Sequence, residues 1–248
     1  MFALVRGISE SFARAEVRHA PSSAIDVTLA RTQHAAYVAA LRALGLEIIE
    51  LPPDHEHPDA CFVEDCALVA GGVALIARLG AASRRGEERA VAAALARHLP
   101  LESMEAPATL DGGDCMRVGQ RLFVGHSQRT NDAGIARARA VFEPRGLTVH
   151  VIEVGAELHL KSVCSPLDGR RILLSEGTLA PDQFPGCEVI TVEGAAANVV
   201  AFRDAAVVPA GFASSRGRIE TAGFRTIEVD TSETRKADGA LTCMSVVF

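Results

Sequence analysis

A pattern of elements recurs five times along this chain, and nothing else in the sequence restricts its fold as strongly. Short runs, mostly rich in Ile, Val and Thr and mostly alternating, lie at Leu46–Leu51, Leu101–Glu105, Leu147–Val154, Glu188–Glu193 and Phe224–Asp230. Alternation over such lengths predicts half-buried strands. Each run leads through a polar loop into two apolar stretches around a turn. The stretches are Cys66–Arg78 (turning at Gly71-Gly72), Cys115–Gly125 (Gly119-Gln120), Ser162–Ser175 (Asp168-Gly169) and Asn198–Ala210 (near Arg203-Asp204). Gly, Asp and Asn supply the positive φ that tight hairpins need. The fifth stretch, Cys243–Phe248, is half a hairpin, and Phe2–Arg6 is its expected partner, which would join the two ends of the chain.

Helices are expected between hairpin and next strand. Arg31–Leu44 places Ala35, Val38, Leu41 and Leu44 on one side and stops at Gly45. Arg84–His98 follows Ser83 as an N-cap and turns Val91 and Leu95 inward, while Asn131 caps Asp132–Phe142 ahead of Pro144. Ser215–Ala222 is a shorter helix ending at Gly223, and Pro181 and Pro185 limit Glu176–Gly186 to a turn. The expectation is one α/β domain over residues 1–248 built of five β-loop-ββ-α units, of roughly 36–55 residues each. A generic α/β domain is the alternative that periodicity leaves open.

Composition narrows the function classes. Lys+Arg number 25 against 31 Asp+Glu, a net charge of −6, which argues against a nucleic-acid partner. No apolar run is long enough for a membrane span. The start, Met1 to Arg6, lacks a signal peptide's basic end and long apolar core, so a soluble cytoplasmic protein is expected. The six cysteines, with no CxxC pair among them, suggest neither a disulfide scaffold nor a zinc finger.

Polar chemistry gathers at one point of the repeat, the loop between lone strand and hairpin. These loops are Asp59–Asp65, Leu110–Asp114, Leu158–Ser162, Ala195–Asn198 and Asp238–Cys243. In a radial repeat, equivalent loops point at one axis. That would unite Glu64, Asp65, Asp111, His159 and Cys243. A thiol, an imidazole and a carboxylate in one pocket are the parts of nucleophilic catalysis, and the extra acids suit a cation such as a planar guanidinium. Each residue alone has a plainer explanation: solvated loop, turn, surface histidine, packed cysteine.

At these residues the sequence resembles the dimethylarginine dimethylaminohydrolases of the guanidino-group-modifying (pentein) superfamily. The matching segments are Phe62–Asp65, Ser83–Arg85, Thr109–Asp114, Phe123–Asn131, Leu158–Ser162 and Asp238–Cys243, in order along nearly the whole chain. The resemblance implies a five-bladed α/β propeller of pseudo-fivefold ββαβ repeats that hydrolyses methylated arginines to citrulline without a cofactor or metal. It implies Cys243 as nucleophile, His159 as general acid/base and Asp111 as its orienting acid. It places Asp65, with Glu64, on the guanidinium and Arg84 and Arg129 on the substrate carboxylate. Asp59 and Asp238 fall near the α-amino end and the pocket wall. A Cys/His pocket could also bind zinc, which would inhibit by occupying the nucleophile. The segment Ser9–His19 is either a lid or an ordinary surface loop. The partner expected is a small molecule, and the sequence leaves a homo-oligomer open alongside a monomer.

Two rivals share the superfamily. Arginine deiminases usually carry Asp where this chain has Lys161, whose ammonium would repel the substrate cation unless it points away. A non-catalytic, initiation-factor-like propeller would have no use for the Cys–His–carboxylate set.

Overall fold

The computed structural model describes residues 1–248. Fifteen strands form five separate three-stranded sheets. Four sheets have one plan, an antiparallel hairpin whose second strand pairs in parallel with a third strand beyond a crossover. They are β3 (Ala67–Ala70), β4 (Val73–Ile76) and β5 (Leu101–Ser103); β6 (Cys115–Val118), β7 (Arg121–His126) and β8 (Thr148–Glu153); β9 (Cys164–Pro166), β10 (Arg171–Ser175) and β11 (Glu188–Val192); β12 (Val200–Phe202), β13 (Ala205–Pro209) and β14 (Arg225–Val229). The fifth follows the same plan across the termini. β1 (Phe2–Arg6) pairs antiparallel with β15 (Ser245–Val247) and parallel with β2 (Glu47–Leu51). This is the five-bladed α/β propeller expected, joined through its ends.

Local chemistry accounts for most elements. Gly71 and Gly72 take φ of 55° and 75°, the paired positive values a two-residue hairpin demands. Arg203 alone takes a positive φ, 56°, in the hairpin expected near it. The helix Asp132–Phe142 forms as expected, with the Asn131 side chain accepting from the Gly134 amide. The turn Pro181–Gln183 is all that the fourth crossover holds.

Two helices differ from expectation. The first, Val27–Ala43, begins earlier because the Asp26 carboxylate accepts from the Leu29 amide. Ala35 is exposed on it, and Tyr37 takes the inward place, its hydroxyl 2.7 Å from the Ser245 hydroxyl. A large ring with a satisfied hydroxyl gains more from burial than a methyl group does. The second runs only Glu88–Leu95, because Ala82–Arg84 forms a separate 3-10 turn and Ser83 caps nothing. The helix between β13 and β14 spans Ala213–Thr221, near its expected bounds.

Buried apolar side chains fall into five clusters rather than one. Each cluster joins side chains of neighbouring blades, so the apolar packing is divided around the ring. A single 3-10 turn precedes each hairpin: Val63–Cys66, Gly112–Asp114, Leu160–Ser162, Gly194–Ala197 and Thr242–Met244. The first turn packs against the second and the fifth, and the second against the third. No helix is long and apolar enough to cross a membrane.

Candidate active site

The axial turns bring together residues far apart in sequence. His159 immediately precedes the turn Leu160–Ser162, and its backbone amide donates to the Ser162 hydroxyl at 3.2 Å. Its ring Nε2 lies 3.0 Å from Asp111 Oδ2, in a fully buried pair. Asp111 is fixed in turn by the Gly80 amide, which donates to Oδ1 at 2.8 Å. His159 Nδ1, on the other side of the ring, lies 4.0 Å from Asp65 Oδ1. Gly113 is required here, since a Cβ would come within 2.7 Å of both Asp65 Oδ1 and His159 Nδ1.

Asp65 is held from two sides, by the Gly113 amide at 3.0 Å and by Arg84 Nη1 at 2.7 Å. Burial alone would raise its pKa, but His159 and Arg84 outweigh that and hold it down at about 2. For His159, burial acts to lower the pKa. The charge of Asp65 and the hydrogen bond to Asp111 prevail, and the value rises to about 9. The ring is therefore an imidazolium at neutral pH. Cys243 is half-buried in the turn Thr242–Met244, and burial together with Glu64 and Asp65 pushes its thiol up to about 12.

Cys243 and His159 line one cavity of 110 Å³, together with Asp59, Asp65, Arg84, Arg129 and Asp238. Every residue expected at the site except Glu64 and Asp111 lies on its wall; Asp111 stands behind His159. Glu64 faces an adjoining chamber that Cys243 and His159 also line. Asp65, Asp111 and His159 present three donor atoms within 4.8 Å of one another, a spacing a metal ion could use. Their charges are already engaged by Arg84, by the Gly80 amide and by each other.

Two expected roles meet side chains already engaged. Arg84 spends its guanidinium on Asp65 and on Glu87, whose Oε2 accepts from Nη2 at 2.8 Å. Arg129 is freer, with a buried Nη1 that has no partner. Glu64 accepts from Lys161 Nζ at 2.5 Å and from the Thr242 hydroxyl at 2.7 Å. The Lys161 ammonium is thus compensated by Glu64 rather than left to repel a cation. Sequence reasoning missed Glu87, which resembles one member of a solvated i,i+3 pair with Arg84. Burial lifts its pKa to about 7 against the pull of Arg84.

The Lys161–Glu64 pair sits between the active chamber and a second axial cavity of 200 Å³ on the hairpin side. Removing one member of a buried pair strands the other charge. Lys161→Met should cost about 3 kcal/mol in urea unfolding at pH 7. Burial already raises the Glu64 pKa, and loss of Lys161 raises it further. A carboxyl whose folded pKa exceeds its unfolded value loses stability as pH rises, so the deficit should shrink on acidification. A deficit below about 1 kcal/mol, or one that grows toward low pH, would overturn this account.

Comparison with known proteins agrees along the chain. The sequence model described as N,N dimethylarginine dimethylhydrolase, eukaryotic, matches residues 11–179. An N(G),N(G)-dimethylarginine dimethylaminohydrolase of Pseudomonas aeruginosa is 38% identical over 90% of this chain and 90% of its own. The enzyme of the same name from Streptomyces coelicolor is 38% identical over 98% of this chain and 95% of its own. A solved Pseudomonas aeruginosa structure, a cysteine-to-serine mutant complexed with citrulline, superposes with a TM-score of 0.95 at 35% identity, covering 100% of this chain and 98% of that one. More than a third of the aligned residues are identical and the backbone superposes along the whole chain, and on that agreement the chain belongs to the dimethylarginine dimethylaminohydrolase family.

Proposed function

We propose that this chain hydrolyses Nω-methylated arginines, asymmetric dimethylarginine and monomethylarginine, to citrulline and dimethylamine or methylamine. The observation that carries the reading is one small cavity walled by a thiol, an imidazolium backed by a buried carboxylate, and Asp65. Asp65, ionised far below neutral pH, takes the guanidinium, and Glu64 adds negative charge that Lys161 partly offsets. Arg129 takes the substrate carboxylate with its unpartnered Nη1, and Arg84 adds positive charge from behind. Asp59 and Asp238 accept from the α-amino end.

The thiol is activated by its own substrate. A cation about 4 Å away at an effective dielectric near 20 favours thiolate by about 4 kcal/mol, or about three pH units. The Cys243 thiolate adds to the guanidino carbon, and the His159 imidazolium protonates the departing amine, leaving a covalent thiouronium. Neutral His159 then takes a proton from water. The hydroxide adds to the same carbon, and collapse expels the thiolate and releases the ureido product. Asp111 fixes the ring and stabilises its charged form.

Residues 1–248 act in this reading as one catalytic domain on a free small molecule in the cytoplasm, with neither nucleic acid nor membrane as partner. The test is product analysis on a panel of arginines. Asymmetric dimethylarginine should give citrulline and dimethylamine in equal amounts. Faster ammonia release from unmethylated arginine would instead make the protein a deiminase.

A further inference from the structure

Between β1 and the first helix, the chain crosses the mouth of the catalytic cavity at Glu16-Val17-Arg18. Its contacts there are specific. The Glu16 amide donates to Asp59 Oδ2 at 3.1 Å, and the Arg18 amide donates to Asp238 Oδ2 at 2.7 Å. The Glu16 carboxylate accepts from the Ser83 hydroxyl and lies 3.7 Å from Arg129 Nη2. The Arg18 guanidinium reaches the Ala156 carbonyl at 3.3 Å. Two N–H donors on Asp59 and Asp238 and a carboxylate on Arg129 are the groups that the backbone end of an amino acid would present.

From this juxtaposition we infer that Glu16 is an internal stand-in for the substrate's α-carboxylate, and that it sets how tightly the site holds carboxylate-bearing ligands. The inference rests on the reading that Arg129 receives the substrate carboxylate. An arriving carboxylate must share or displace Glu16 at one guanidinium, and two like charges there repel. Glu16 is free to yield: its side chain is 43% exposed, so it can swing into water, while that of Arg129 is only 20% exposed. The acidic crowding is already felt by Asp59, whose pKa is raised by burial first and by Glu16 among the charges near it. The empty space left under the strap is small, 110 Å³, so the strap and a substrate's backbone end compete for the same acceptors.

The experiment is calorimetric titration of L-citrulline into the intact protein and into Glu16→Gln, which keeps the shape and the Ser83 hydrogen bond but removes the charge. Steady-state constants for asymmetric dimethylarginine and the inhibition constant of N,N-dimethylagmatine, which lacks the carboxylate, complete the set. The variant should bind citrulline about two- to fivefold more tightly and show a matching fall in KM, the range of a partly exposed ion pair. Its affinity for dimethylagmatine should not change. Equal or weaker citrulline binding by the variant overturns the inference and leaves the proposed reaction standing. So does an equal gain for both ligands, which would mean that the substitution merely loosens the strap. Citrulline bound by neither protein would overturn the arginine reading itself, and this inference with it.

Discussion

Cys243→Ser should lower kcat on asymmetric dimethylarginine by at least about a thousandfold while leaving its dissociation constant near that of the unaltered protein. The thiol is expected to ionise in the complex because the substrate's own cation offsets the burial, Glu64 and Asp65 that push it up to about 12. A serine hydroxyl starts from a far higher pKa, so the same few kcal/mol leave it neutral. Binding should survive because Asp59, Asp65, Arg129 and Asp238, which hold the two ends of the substrate, are untouched. Acid quenching during turnover should trap a thiouronium adduct on the intact protein, seen as added mass on the peptide carrying Cys243, and none on the variant. Retention of more than about a tenth of the activity by Cys243→Ser would remove the nucleophile from the scheme.

Some of this site is legible in the sequence alone, and the division follows the range of the interactions. Gly71-Gly72 and the Asn131 cap were legible because a hairpin turn and a helix start are decided within a few residues. The gathering of Asp65, Asp111, His159 and Cys243 was legible because a repeat transfers position from one unit to the next, and each sits in or beside the 3-10 turn that opens a hairpin. The start of the second helix was not. Arg84 looks like a solvated first turn, yet Asp65 and Glu87 draw it inward at 6% exposure. Lys161 reads as an ammonium that would repel the substrate cation unless it points away, because its partner Glu64 lies 97 positions off in another blade. The role of Asn198 also depends on a second blade. Its amide accepts from the Thr242 backbone and donates to the Thr242 hydroxyl, steadying the turn that carries Cys243. Nothing local marks such cross-axis contacts, because only closure of the ring makes these residues neighbours.

His159→Gln should lower kcat by about a hundred- to ten-thousandfold, the span of a lost general acid/base, and should also change the shape of the pH profile. In the unliganded protein the productive form pairs an imidazolium, pKa about 9, with a thiolate, pKa about 12. Because the imidazolium is the stronger acid, raising the pH strips its proton before the thiol's. The productive fraction therefore climbs tenfold per pH unit below about 9, levels near about one part in a thousand, and falls only above about 12. The break near 9 belongs to His159 and should vanish in the variant, whose much lower kcat/KM should go on rising through pH 9 and 10 as the thiol alone ionises. A linked change in stability has its own sign. A histidine whose folded pKa stands above its unfolded value of about 6.5 stabilises the protein fully below 6.5 and loses that contribution as pH rises through about 9. The variant should therefore fall short of the unaltered protein most at pH 6 and least at pH 9.5 in urea unfolding. A kcat/KM profile that keeps its break near 9 after the substitution would assign that proton to another group and take the acid/base role from His159.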